Sequence, residues 1–361
     1  MLLDLTSSNP TSASPFYPHS EIRASFSTLH NFGYRPDPFG SEEARTAVQH
    51  YYADEGYNLP ISRIALTAST SEAYGLLFKL LCDPGDEVLV PVPSYPLFEY
   101  LAALESVKPV PYPLRYDGSW HIDFAALRER ISSRSRLIVI VNPNNPTGSY
   151  LKNREWEMLS GIARENGLPI VSDEVFMSYE FGDGKERVKT LIDKDEVLSF
   201  SLNGLSKAAG MPQMKLAWIA INGPEKERKI ARERLEVLLD TYLSVNTPVQ
   251  MALPALFRTG SRIRDQIQSN AKANLEEAQT LLKDSPVHAL HTEGGWSLIL
   301  QLPQTRREEE WIAGLLEEEN VVLQPGFFFD MPSEAYAVAS LIVDPAVFQE
   351  GIGRLQRYVI S

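Results

Sequence analysis

The sequence predicts an α/β protein, with a mostly parallel central sheet in a large domain and a smaller α+β domain beside it. Two observations carry this. Between residues 62 and 222, short β-branched or aliphatic runs alternate with stretches of helical periodicity, as in a parallel sheet covered on both faces. Beyond Pro224 the texture changes to long amphipathic segments rich in Glu, Arg, Lys, Gln and Ala.

The elements follow in chain order. Ser, Pro, Asn and aromatic residues make Ser7 to Gly40 irregular. A helix starts at Ser41, with Glu42 and Glu43 in its first turn, where they complement the helix dipole. Arg63–Thr67, Glu87–Pro91, Leu137–Asn142, Pro169–Ser172, Glu196–Ser201 and Leu216–Ile221 read as buried strands. Helices such as Ser71–Leu81 and Arg154–Asn166 lie between them. Lys226–Leu239 and Arg262–Lys283 read as long helices, and Trp296–Leu302 as a strand. Helix Glu308–Glu319, strand Val321–Gln324 and a last helix from Pro345 to near Tyr358 complete the chain. Residues 41–250 are therefore expected to form the large domain, and 1–40 with 251–361 the small one.

Composition narrows the function classes. The chain has 361 residues, 43% hydrophobic and 22% charged, which excludes a disordered or fibrous protein. Its formal net charge of −13 repels phosphate backbones and anionic lipid, so neither nucleic acid nor a membrane surface is an expected partner. The single cysteine, Cys82, read as a helix residue, permits no intrachain disulfide and suits a reducing compartment. The segment Met1–Ser8 has no basic, apolar signal pattern, and the longest aliphatic run, Leu137 to Val141, is far too short to span a bilayer. A soluble cytoplasmic enzyme is the expectation.

Five short segments carry candidate chemistry. Thr67-Ala-Ser-Thr-Ser-Glu72 follows a strand and opens a helix, and Ser69 with Glu72 fits a capping box. Alone it is an ordinary helix start. The alternative is a phosphate cradle, in which exposed N–H groups, the helix dipole and three hydroxyls meet an anion. Pro93-Ser-Tyr95-Pro-Leu-Phe is either a stiff loop packing Tyr95 on the core or an aromatic plate for a ring ligand. Val141-Asn-Pro-Asn-Asn145-Pro-Thr-Gly148 forces a defined turn at the carboxyl end of a buried strand, where α/β sheets bind ligands. Asp173 ends the next run, where a carboxylate caps a helix or meets a cationic ring nitrogen. Lys207 stands among small and apolar residues in Leu205-Ser206-Lys207-Ala-Ala-Gly, with Lys215 following. A lysine there is either a solvated charge or a Schiff-base nucleophile, since desolvation favours the neutral amine.

Together these segments resemble the fold type I pyridoxal-phosphate (PLP) enzymes, and among them the class I/II aminotransferases. The resemblance runs over nearly the whole chain, from about Asp4 to the last helix. Order and spacing make it specific: Asp173 lies 28 positions after Asn145, and Lys207 lies 34 after Asp173. The resemblance implies that Lys207 forms the Schiff base with PLP and moves the proton. It gives Asp173 the pyridine nitrogen, Asn145 the ring's 3-oxygen and Tyr95 the ring face. Ser69, Thr70, Ser71, Ser206 and Lys215 would hold the phosphate. Tyr34, within Gly33-Tyr-Arg-Pro-Asp-Pro-Phe-Gly40, matches a tyrosine lent to the neighbouring subunit, which implies a homodimer with shared active sites.

Several positions depart from the family pattern. Lys215 stands where the family has arginine and lacks the bidentate fork. Phe176 replaces a tyrosine that bonds the 3-oxygen, and Gly204 replaces a serine or threonine. The family's carboxylate-gripping arginine has no counterpart in Tyr336-Ala-Val-Ala-Ser-Leu-Ile-Val-Asp-Pro345, and no Lys or Arg lies between Arg307 and Arg354. Arg23 and Arg35 are the candidate replacements; otherwise the donor or acceptor is unusual. Trp296, in Glu293-Gly-Gly-Trp, is expected near the substrate. Phe327 to Phe329 are read as core, Glu308–Glu310 as a solvated face, and the six histidines, His30 among them, as surface or packing residues.

The resemblance thus implies transfer of an amino group between an amino acid or amine and a 2-oxo acid. A PLP-dependent C–S lyase acting by β-elimination is the alternative. A non-catalytic PLP-binding module, as in regulators carrying a DNA-binding extension, is the remaining one.

Overall fold

Alternating buried strands and helices over residues 64–222 build one eight-stranded sheet in the computed structural model, which describes residues 1–13, 17–27 and 33–360. Its strands are β1 (Ile64–Thr67), β2 (Glu87–Val92), β3 (Lys108–Tyr116) and β4 (Trp120–Ile122). β5 (Ser135–Val141), β6 (Ile170–Asp173), β7 (Ser199–Gly204) and β8 (Ala217–Asn222) complete it. The spatial order is β1-β8-β7-β6-β5-β2-β3-β4. The middle of the sheet, from β7 to β3, is parallel; β8 runs antiparallel to both β7 and β1, and β4 to β3.

Side-chain alternation along these strands feeds two cores. Val88, Val90, Leu137, Val139, Val171, Phe200 and Leu202 pack on one face with Leu77 and Phe78 of the Thr70–Leu81 helix. Leu89, Ile138, Ile140 and Ile170 pack on the other with Trp156, Leu159 and Ile162 of the Asn153–Asn166 helix. Each such buried side chain stabilises the fold by about 1.5–3 kcal/mol.

Four differences from expectation are local. Strands β3 and β4 were not anticipated, because Pro109, Pro111 and Pro113 interrupt β3. Prolines at alternate positions lack N–H groups on one side only, and β4 pairs just with the Leu114–Tyr116 end, leaving that side unneeded. β7 lies three residues later than Glu196–Ser201 suggests, because its pairing with β8 extends to Gly204 opposite Ala217. The helix expected at Arg262–Lys283 runs from Thr247 to Leu281, through an internal Pro254, and so passes residue 250 unbroken. Its start is capped by Asn246, whose side chain accepts from the Val249 N–H. Cys82 sits just past the end of the Thr70–Leu81 helix in extended backbone rather than within it.

The C-terminal part holds a four-stranded antiparallel sheet of His288–Ala289, Ser297–Gln301, Tyr336–Ser340 and Gln324–Pro325. The chain's beginning joins it, as Leu3–Asp4 pairs in parallel with Val321–Val322. Glu308 is buried, not solvated: its carboxylate accepts from the N–H groups of Phe327 (2.9 Å) and Tyr336 (3.0 Å). Only Phe329 of its aromatic run is core, whereas Phe327 and Phe328 are half exposed. Among the described residues no helix is long and apolar enough to cross a membrane. His30 lies outside the described residues.

Candidate active site

Strand direction gathers the candidate residues on one edge of the large sheet. β5, β6 and β7 are parallel, with Val141 opposite Asp173 and Asp173 opposite Leu202. Their carboxyl ends therefore deliver Asn145, Asp173 and the Ser206-Lys207 turn together. β2 is parallel to β5 and delivers Tyr95 to the same edge, half exposed. β8 is antiparallel, so its beginning meets the end of β1, with Ala217 opposite Thr67. Lys215, just before β8, thus joins Ser69, Thr70 and Ser71, just after β1.

Lys207 and Asp173 form the electrostatic centre. Burial pushes the Lys207 amine below the ordinary lysine range; Asp173 opposes that shift and Lys215 adds to it. Its Nζ stands 5.9 Å from the centre of the Phe176 ring and 5.8 Å from that of Trp296. Burial likewise raises Asp173 to about 6, against the pull of the Val175 N–H, the Tyr74 hydroxyl and Lys207. The Val175 N–H donates to Oδ1 at 3.2 Å, and the Tyr74 hydroxyl to Oδ2 at 3.2 Å. At neutral pH the site holds an ionised carboxylate beside an amine that burial pushes toward its neutral form.

Around this pair the surroundings are fixed by packing. Phe176, Tyr179 and Trp296 meet edge to face, with centroids 5.0 to 6.3 Å apart. The Tyr179 hydroxyl donates to the Lys207 carbonyl at 2.7 Å, holding the short Leu205–Ala208 helix against the sheet. Ser297 Oγ donates to Asn145 Oδ1 at 2.9 Å, which turns the Asn145 Nδ2 the other way, free to donate. Gly148 closes the same turn with φ 68°, and a Cβ there would come within 1.8 Å of Thr292 Oγ1. Only glycine fits.

The helix start at Ser69 has the predicted cap. Its hydroxyl accepts from the Glu72 N–H at 3.1 Å, while Glu72 accepts from the N–H of Ala68 rather than of Ser69. That leaves the N–H groups of Thr70 and Ser71 and their hydroxyls to bind an anion. Gly204 is explained by contact: a Cβ there would lie 2.8 Å from the Ala217 Cβ, so a serine or threonine would not fit between β7 and β8.

Some residues are placed elsewhere or were not anticipated. Tyr34 is 75% exposed and lines a cleft with Arg35, Asp37, Glu72 and Ser244. Arg23 is exposed on the His19–Ser25 helix. Tyr74 and Tyr179 carry no sequence signal, because each reads as an ordinary buried aromatic until the strand order brings it to Asp173 or Lys207. Ser297 likewise carries no motif. It faces Asn145, and cross-strand register puts Ser340 and Val338 on the same side of its sheet, with no cation among them.

The profile for aminotransferase class I and II matches residues 2–336, nearly the whole chain and every candidate residue. This chain belongs to the class I and II aminotransferases. It is a transaminase of fold type I, and its family depends on PLP. The glutamate-pyruvate aminotransferase AlaA of Escherichia coli K12 is 30% identical over 305 residues, covering 82% of this chain and 75% of that one. Tyrosine aminotransferase of Dictyostelium discoideum is 28% identical over 317 residues, 83% of this chain and 75% of its own length. Among solved structures, alanine aminotransferase from Pyrococcus furiosus superposes with a TM-score of 0.88 at 25% identity, over 99% of this aminotransferase and 92% of the other.

Proposed function

We propose that this aminotransferase moves an amino group between a primary amine or amino acid and a 2-oxo acid, with Lys207 as the PLP-binding and proton-transferring lysine. The observation carrying the reading is the Lys207–Asp173 pair, recessed behind Phe176 and Trp296 on the edge that also bears a helix N-terminus and the Asn145 amide. The residues fit the cofactor. The free Asn145 Nδ2 suits a phenolate oxygen, Asp173 suits a protonated pyridine, and the Thr70–Ser71 turn with Ser69, Ser206 and Lys215 suits a phosphate. When bound, the cofactor supplies the electron-withdrawing ring that takes up charge from the substrate carbon.

The chain's own residues do the rest. Lys207, whose amine burial pushes toward the neutral form, takes the proton from the substrate carbon and returns it. Asp173 holds a proton on the ring nitrogen. Asn145 orients the ring, Tyr95 covers one face, and Phe176 with Trp296 keeps water from the amine. The exposed Tyr34 suits a contribution to the site of a second copy, making the working form a homodimer.

Relatives named for alanine, glutamate–pyruvate and tyrosine favour an ordinary amino acid donor. The cation-free strand Tyr336–Ser340 favours a donor or acceptor that is not gripped there by its carboxylate. A half-reaction screen decides. PLP-loaded protein is mixed with a panel of amines and amino acids, and the visible band of the cofactor is followed toward the amine form. Conversion with at least one donor, reversed by a 2-oxo acid and absent in Lys207→Ala, is expected. If no donor converts the band, or if pyruvate and ammonia appear from a β-substituted amino acid instead, the transaminase reading is lost.

A further inference from the structure

One contact at the site involves a residue that the reaction does not itself require. Tyr74 lies in the Thr70–Leu81 helix, fully buried, and its hydroxyl donates to Asp173 Oδ2 at 3.2 Å. The ring is clamped in place: Phe98 meets it edge to face at 5.5 Å, and Phe78 at a tilt at 6.0 Å. The phenol therefore has little freedom to turn from the carboxylate. The same helix begins with Ser69, Thr70 and Ser71, about one turn before Tyr74. A single rigid element thus touches the phosphate cradle with its first turn and the ring-nitrogen carboxylate with its second.

We infer that Tyr74 is a positioning residue for the cofactor, holding the Asp173 carboxylate ionised and aimed at the pyridine nitrogen while its helix fixes the phosphate. The inference rests on Asp173 being the ring-nitrogen partner. A hydrogen bond to the charged form of a buried carboxylate favours that form, and burial here works strongly the other way. The charged and titratable groups facing the carboxylate are few. Lys207 faces it from the Leu205–Ala208 helix, and Tyr74 from its own helix. Tyr112 of β3 faces Tyr74 but donates its hydroxyl to the Val139 carbonyl at 2.7 Å. Burial and the neighbouring carboxylate also push the Tyr74 phenol well above its usual range, so it remains a donor throughout the working pH.

The test is PLP affinity of wild type, Tyr74→Phe and Asp173→Asn, measured by absorbance titration from pH 5.5 to 9. Phenylalanine keeps the ring packing and removes only the donor. Tyr74→Phe is expected to match wild type within about twofold at pH 9, where Asp173 is ionised in both. At pH 6.5 it falls about threefold behind and at pH 5.5 about eightfold, its acid limb moved up by about one pH unit. A purely structural role predicts a uniform loss at every pH, and that result, or a curve equal to wild type, overturns the inference. Asp173→Asn separates the two levels. If it keeps the wild-type acid limb, the assignment of Asp173 fails and the Tyr74 role fails with it. If it flattens the limb while Tyr74→Phe leaves it unmoved, only Tyr74 is misassigned. Should Tyr74→Phe not fold, Tyr74→Met serves in the same titration with the same expected shift.

Discussion

At the end of β6 two carboxylates stand next to each other in sequence and on opposite faces of the sheet. Asp173 turns to the open edge, where its donors are one peptide N–H and one phenol, with the Lys207 amine opposite. Glu174 turns into the protein and is enclosed. It accepts from Thr190 Oγ1 at 2.6 Å, Leu191 N–H at 3.0 Å and Ser201 Oγ at 2.9 Å. Burial lifts both, to about 6 for Asp173 and about 7 for Glu174. The difference lies in what remains unsatisfied. Glu174 has its lone pairs occupied by the fold and can only hold loops and strands together, whereas Asp173 keeps acceptor capacity for a ligand. A raised carboxyl therefore marks a structural group in one case and a chemical one in the other.

The sharpest break of this comparison comes from exchanging the losses. Glu174→Ala strands three buried donors and is expected to destabilise the protein by about 3–5 kcal/mol, read as a lower denaturant midpoint. Asp173→Asn should leave that midpoint nearly in place and slow amino transfer about a hundredfold to a thousandfold. If Asp173→Asn proves as destabilising as Glu174→Ala, the two carboxylates do not differ in kind.

A second comparison uses pH. A carboxyl whose folded pKa is raised holds its proton longer folded than unfolded, so it favours folding at low pH. For Glu174 that contribution is complete below about 4.5 and is lost as pH rises through about 7. Stability of the apo protein between pH 5 and pH 8 should therefore decline less in Glu174→Gln than in wild type, by about 2–3 kcal/mol. Equal slopes would show that Glu174 is not protonated in the folded state.

The smallest expected effect concerns the cradle. Lys215, exposed and in left-handed backbone with φ 51°, brings one charge but no fork to the phosphate end. Lys215→Arg is expected to tighten PLP binding several-fold at unchanged folding stability. Weaker binding on equilibrium dialysis would place the phosphate elsewhere.

Much of the site was legible because its parts are local. A capping box at Ser69, a stiff turn ending at Gly148, and an acidic or basic residue directly after a buried strand are short-range features with short-range causes. The fold was legible for the same reason, except where a local breaker misled. The prolines of β3 hide a strand because only one of its sides needs donors, and Pro254 hides the first half of a helix that packing sustains. Glu308 read as a solvated charge, yet its carboxylate ties the loop at Phe327 to the strand at Tyr336. Its neighbours in sequence give no hint of that.

By itself the sequence determined the α/β alternation, the acidic surface and the order of the chemical groups along the chain. Those depend on periodicity and residue type, which no distant contact can change. Tertiary structure alone decided that Tyr74 meets Asp173, 99 positions further along the chain, that Ser297 orients Asn145, and that Glu174 is sealed while Asp173 is open. Strand order and strand direction set those meetings, and a hydrogen bond between residues far apart in the chain leaves no pattern in the order of its amino acids.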